Sequence, residues 1–337
     1  KRQWTYDACV FYGGVSPELL DKWLQEHLVP GGHYFWCDYS MFDNTHSEQT
    51  WRFMEWMYGE CGSEFKTVMD AWRKPKGCIG RFKYQARCMN ASGRDDTALA
   101  NGVLNGFAMY LSLCAAWLRK PVLELTPADV QACGHIRISV CGDDSLGVCH
   151  QDGRDWQEFG RSVCENAGQF GFEAKFGQSD VLEKCVYLGS RPYVVGGKYH
   201  WGRTIGRAAY KFGWRDEIEG DNLAWITGVS DMLVRTCRHV PVLHELGLKV
   251  VELREGCKRT PYQEDGNRPW SVSRTAAVPH WDDGTLEGVV RAYERDGDNL
   301  ITVSGLRQLL VDISLLRAIP AVLDNETLRQ LIARDDL

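Results

Sequence analysis

The stretch "ISVCGDDSLGVCH", residues 138–150, decides how this chain is read. Two short apolar runs flank Gly142, Asp143 and Asp144, which predicts a β-hairpin carrying two adjacent like charges at its tip. Asp and Gly are ordinary turn residues, because Asp bonds its own backbone and Gly accepts positive φ without steric cost. Paired carboxylates at a turn are also hard oxygen ligands for a divalent cation. The hairpin alone leaves both readings open.

Upstream, "HYFWCDYS" (33–40) reads as a short buried strand ending at Asp38, and Asp43 follows it in "CDYSMFDNT". An acid after a strand often caps a helix or makes a turn. A carboxylate at a strand's end can equally lie beside a hairpin tip in the same sheet. Asp38 and Asp143 could then hold two Mg²⁺ ions about 4 Å apart. A third feature is "SGRDDTALAN" (92–101), where Gly93 permits an irregular backbone and Thr97 and Asn101 share a helix face. Such hydroxyl and amide groups can read a sugar hydroxyl or simply cap a buried helix.

The remaining sequence sets the frame. A chain of 337 residues, 44% hydrophobic and 25% charged, is globular rather than disordered and allows one large domain or two. A net charge of −6 argues against a dedicated nucleic-acid binder, although local basic tracts can still exist. Two do. Residues 71–94 contain seven Lys or Arg and no acid, with a centre that alternates like strands. In "LGSRPYVVGGKYHWGRTIGRAAYKFGWR" (188–215) six Lys or Arg alternate with aromatic residues, offering phosphate neutralisation and stacking surface. The 13 cysteines include no C-x-x-C pair, which fits a reducing compartment and neither a disulfide framework nor a zinc site. The uncharged run at 98–118 is long enough to cross a bilayer. Asn101 and Asn105, one turn apart on it, favour a helix buried in a large core instead.

Ser47 is placed to cap a helix over 47–58, and "DWQEFGRSVCENAGQF" predicts another amphipathic helix. "KCVYLGS", "YVV" and "KYHW" suggest a small antiparallel meander, and from Arg203 onward the chain reads mainly helical, with a loop-like polar stretch around 258–285. The organisation is an α+β domain followed by a helical one.

Taken in order, Asp-x4-Asp, Ser-Gly-x3-Thr-x3-Asn and Gly-Asp-Asp in a hairpin resemble motifs A, B and C of the palm of viral RNA-dependent RNA polymerases. The Asp96-Thr97 pair and Gly-Asp-Asp-Ser look closest to the nodavirus-like and tombusvirus-like positive-strand enzymes. The resemblance covers residues 33–202, with "GFEAKFG" matching motif D and "CVYLGSRPY" motif E. It implies a right-hand polymerase: an antiparallel palm sheet with packed helices, partial fingers and a mainly helical thumb. The expected domains are 1–32 as partial fingers, 33–189 as palm with a fingers insertion at about 60–91, and 190–337 as motif E end and thumb.

Carried over residue by residue, the resemblance gives Asp38, Asp143 and Asp144 as ligands of two Mg²⁺ ions, for which Mn²⁺ can substitute. These would activate a primer 3′-hydroxyl and neutralise the triphosphate. Asp43, Ser92, Gly93, Thr97 and Asn101 would bind the nucleotide and recognise its 2′-hydroxyl, and Lys175 would protonate leaving pyrophosphate or remain a surface lysine in a loop. Arg81, Lys83 and Arg87 would line the template path, while Arg203, Arg207 and Lys211 would grip the new strand. The implied partners are RNA template and product, ribonucleoside triphosphates and other viral replication proteins, in a membrane-associated complex of the host cytoplasm.

One departure stands out. The family's basic motif F lies well upstream of motif A, and only 32 residues precede the first strand here. The expectation is that upstream sequence or a second polypeptide supplies those fingers, without which the chain would be inactive. A reverse transcriptase shares the palm but usually carries an aromatic where Asp43 stands. A noncatalytic RNA-binding scaffold would have no need for acids clustered against phosphates.

Overall fold

The computed structural model describes residues 5–6, 9–11, 17–28, 31–59, 62, 65–90, 96–213, 221–254, 279–295, 297–315 and 325–335. The chain divides into two units, one of residues 1–13 with 28–180 and the other of 14–27 with 181–337. It is a mixed α/β structure whose strand pairs are antiparallel with one exception.

The first unit opens with β1 (Thr5–Tyr6) and β2 (Cys9–Phe11). Helix α1 (Pro17–His27) belongs to the second unit. Strand β3 (Gly32–Tyr39) follows, then α2 (Glu48–Gly59) and α3 (Phe65–Trp72). Ser47 caps α2 as expected, its Oγ accepting from Thr50 N at 3.3 Å. The basic segment forms a hairpin of β4 (Lys76–Ile79) and β5 (Phe82–Gln85). Helices α4 (Thr97–Leu118) and α5 (Pro127–Ala132) precede the hairpin of β6 (Arg137–Cys141) and β7 (Asp144–His150), and α6 (Trp156–Gln169) and β8 (Ala174–Ser179) complete the unit.

The main sheet has the order β1-β2-β6-β7-β3-β8. Here the structure corrects two expectations. Residues 9–11 do not stand apart as fingers but add a strand to this sheet between β1 and β6, and they pair with β6 in parallel, so the sheet is mixed. The driving force is the exposed backbone edge of β6, whose N–H and C=O groups need partners.

Strand β3 lies between β7 and β8, and its side chains are buried on both faces almost to its end. Phe35 sits opposite Gly147, where an added Cβ would meet the Phe35 ring at 2.0 Å, so the glycine makes room for the ring. Helix α4 packs against β6, β7 and α6, burying Leu104, Met109 and Leu113. Full burial of each such side chain contributes about 1.5–3 kcal/mol. This helix is apolar and long enough to cross a membrane, but 67% of its most apolar window is buried in the protein.

The second unit contains α1, the hairpin of β9 (Ser190–Val195) and β10 (Lys198–Arg203), and α7 (Ile205–Tyr210). Helices α8 (Asn222–Thr236), α9 (Pro241–Leu253), α10 (Asp283–Tyr293), α11 (Val303–Leu315) and α12 (Glu326–Asp335) follow. The expected meander is a two-stranded hairpin, because "KCVYLGS" makes only an isolated bridge, Tyr187 to Ser190. The division after Asp180 precedes the expected 189/190 boundary, since the short 3₁₀ turn Leu182–Lys184 packs on β9 and α10 and Arg291 binds Glu183 at 2.9 Å.

In this unit the Asp335 side chain is 1% exposed and takes four donors on its two oxygens. Arg191 Nη2 donates at 2.8 Å, Tyr293 Oη at 2.8 Å, and the Gly206 and Arg207 amides at 2.6 and 3.2 Å. The Arg191 guanidinium also lies 4.0 Å from the Tyr293 ring centroid. This knot ties α12 to α7, β9 and α10.

Candidate active site

The hairpin tip is built by a two-residue loop, Gly142–Asp143, because Cys141 pairs with Asp144. Gly142 has φ +62, the first-position conformation that glycine takes in type II′ hairpins. Asn105 of α4 fixes the tip from below: its Nδ2 lies 3.1, 2.8 and 3.1 Å from the carbonyl oxygens of Gly142, Asp143 and Asp144. Tyr39 Oη donates to Asn105 Oδ1 at 3.1 Å, so strand β3 and the tip share one buried anchor.

Strand register places the acids. Cys37 of β3 pairs with Ser145 of β7, which makes Asp38 and Asp144 the next residues along. On the other side Asp38 pairs directly with Lys175 of β8. Lys175 is therefore on a strand rather than in a loop, and both it and Asp38 are exposed. The sequence hid this because β8 is polar and interrupted by Gly177, and its pairing is set far along the chain.

Asp143 and Asp144 are half-buried. Burial, and then repulsion from Asp38 and Asp43, raises the Asp143 carboxyl above the usual carboxylate range. Strand register sets Asp38 across from Asp144, and Asp43 and Asp143 line one pocket, so the acids lie near one another. Their oxygens are not drawn within 4.8 Å of one another as a set of three; among the described residues only His244, Glu245 and His280, in the second unit, are.

Beside the acids lies a pocket of 290 Å³ lined by Tyr39, Met41, Asp43, Met89, Asn90 and Asp143, among others. Its floor is a relay of amides. Asn101 Nδ2 donates to Asp43 Oδ1 at 2.7 Å, and Asn90 Nδ2 donates to Asn101 Oδ1 at 2.6 Å. The Asn90 amide N–H also binds the Asp43 carbonyl at 2.9 Å. Asn90 is 1% exposed, and its Oδ1 has no hydrogen-bond partner among the described residues. Such an atom is costly to leave unpaired and would accept a ligand O–H. Sequence reasoning missed Asn90; its place two residues before Ser92 in "CMNASGR" was the available signal.

Thr97 opens α4 and is half-buried, after Asp96, which accepts from Tyr58 Oη at 2.7 Å. Ser92 and Gly93 lie outside the described residues. Arg81 and Lys83 are exposed on the β4–β5 hairpin beside Phe82 and Tyr84, 81% and 50% exposed, whereas Arg87 stands 3.6 Å from Glu48. In the second unit Arg203, Arg207 and Lys211 are exposed. The interleaved aromatics there are not all stacking surface: Tyr193 and Trp201 are buried, and Arg191 is spent on Asp335.

No family model matches this chain, and no curated protein matches it. The functional reading therefore stands on the residues.

Proposed function

We propose that this chain carries out template-directed RNA synthesis, as the palm and helical thumb portion of a viral RNA-dependent RNA polymerase. The observation that carries the reading is the placement of Asp143, at a pinned hairpin tip, within electrostatic reach of Asp38 and Asp43. Carboxylates repelling one another call for a cation, and their hard oxygens fit Mg²⁺. Asp38 and Asp143 would hold the ions, with Asp144 supporting them. Bound there, Mg²⁺ would neutralise the triphosphate and lower the pKa of the attacking hydroxyl.

The chain's own residues do the rest. Asp43, oriented by Asn101, and the open Asn90 Oδ1 offer a buried polar pocket to a ribose hydroxyl. Lys175, cross-strand from Asp38, would deliver a proton to the leaving pyrophosphate. The exposed basic residues on the β4–β5 hairpin and on β10 and α7 would bind RNA phosphates. A reverse transcriptase is the weaker reading, because the position that would exclude the 2′-hydroxyl holds an acid engaged by Asn101. Membrane association in a cytoplasmic replication complex is part of the proposal and would come from partners.

Two measurements test it. Mn²⁺ titration of the chain should show carboxylate-dependent binding that Asp143→Asn abolishes. Primer extension on an RNA template, in the whole open reading frame, should fall about a thousandfold or more in the same variant. Near wild-type extension would overturn the assignment.

A further inference from the structure

We propose that His244, Glu245 and His280, in the second unit, bind one divalent transition-metal ion of the zinc class, leaving a fourth position for water. His244 and Glu245 sit side by side on α9, and His280 comes from the segment just before α10. Their ligand atoms all lie within 4.8 Å of one another. Two edges are already short: His244 Nδ1 to Glu245 Oε1 is 3.3 Å, and His280 Nε2 to the same oxygen is 3.9 Å. A tetrahedral zinc ion with bonds of about 2.0–2.1 Å needs edges of about 3.3 Å, so small side-chain movements complete the set.

The hydrogen bonds around the three side chains also fit a ligand set. His280 Nδ1 is 2.9 Å from the Trp281 carbonyl oxygen, which can only accept, so Nδ1 carries the proton. The other ring nitrogen, Nε2, faces Glu245 Oε1 at 3.9 Å, a gap that an ion ligated by both would bridge. Ligating histidines commonly make this second bond to a backbone carbonyl. Trp281 Nε1 donates to Glu245 Oε1 at 3.2 Å and orients the carboxylate. His244 is buried, while the His280 side chain is 46% exposed, giving the ion a route in and water a place on it.

Two imidazoles and one carboxylate favour zinc-class ions over Mg²⁺. The cysteine pattern argued against a zinc site, but that reading concerned thiolate ligands, and these three side chains carry none. Bound metal would clip the approach to α10 onto α9, adding to the bond of 3.0 Å that Trp281 N already makes to the Arg238 carbonyl in the α8–α9 turn. Without metal, the same groups would merely form a hydrogen-bonded tie.

The test uses the whole chain, stripped with chelator, and Co²⁺ as the probe. One equivalent should give the visible absorption of a tetrahedral nitrogen–oxygen site, without the intense near-ultraviolet band that a thiolate ligand adds, and Zn²⁺ should displace it. His280→Ala should lose the signal, with a metal-free melting temperature equal to wild type's. Trp281→Phe, which keeps an aromatic ring against the core but removes the donor to Glu245, should weaken binding about 10–100-fold. Glu245→Gln should also lose the signal and decides the matter if His280→Ala folds poorly. No such Co²⁺ spectrum, or one unchanged in both His280→Ala and Glu245→Gln, would overturn the proposal. The site lies within the second unit, so its failure would leave the polymerase reading untouched.

Discussion

Asp143 and Asp335 are two aspartates withdrawn from water under opposite conditions. Asp335 is almost wholly buried, yet a guanidinium, a phenol and two backbone amides surround it. Asp143 is only half-buried, but its charged neighbours are Asp38 and Asp43. The first is complete within the chain and serves the fold. The second has only acids among the charges acting on it from the described residues, which is why the proposed function places a cation there.

If this contrast is right, the largest effect on stability comes from Asp335→Ala. It would strand the Arg191 guanidinium in the core and cost about 3–5 kcal/mol in urea unfolding, as broken buried pairs do. A loss below about 1 kcal/mol would mean that the knot does not hold α12. A middling effect is expected at the amide relay. Asn101→Ala should reduce ribonucleotide incorporation more than deoxyribonucleotide incorporation, shrinking discrimination by an amount equivalent to about 1–3 kcal/mol. Single-nucleotide incorporation with paired sugars reads this directly, and equal losses for both would put the sugar sensor elsewhere.

The smallest effect is the most diagnostic. Burial and its acidic neighbours raise the Asp143 pKa, so the folded chain holds that proton more tightly than the unfolded one. Stability linked to this site is therefore full below the unfolded carboxylate pKa and is lost as pH rises through the raised folded value. Metal-free Asp143→Asn should melt above wild type at neutral pH, and the gap should close as pH falls into the carboxylate range. A gap independent of pH would show that Asp143 feels no repulsion.

Much of the first unit was legible. The hydrophobic runs and turn residues gave β3 to within a residue at each end, the β6–β7 hairpin, and α4 and α6, because period and turn chemistry are local signals. The acids and Asn101 could be named from spacing, and the structure brings Asp38, Asp43, Asn101 and Asp143 together. What escaped was non-local. Three residues at 9–11 carry no period that predicts pairing with 138–140. Lys175 meets Asp38 only through strand register. The burial of Tyr193 and Trp201 depends on the helices that cover the β9–β10 hairpin, and a run of alternating basic and aromatic residues cannot show which side is covered.

Helix α1 has a consequence for the order in which the protein is made. Asp21 Oδ1 accepts the Trp201 amide at 2.6 Å across 180 residues of sequence, and α1 packs on β10. A ribosome adding about 5–20 residues per second emits α1 roughly 9–36 s before its partner strand exists. Residues 28–180 of the first unit are synthesised during that wait, with an amphipathic helix still unattached to its own unit. Vectorial folding would then close the second unit around its earliest-made piece, and α1 is the segment a chaperone would have most reason to hold.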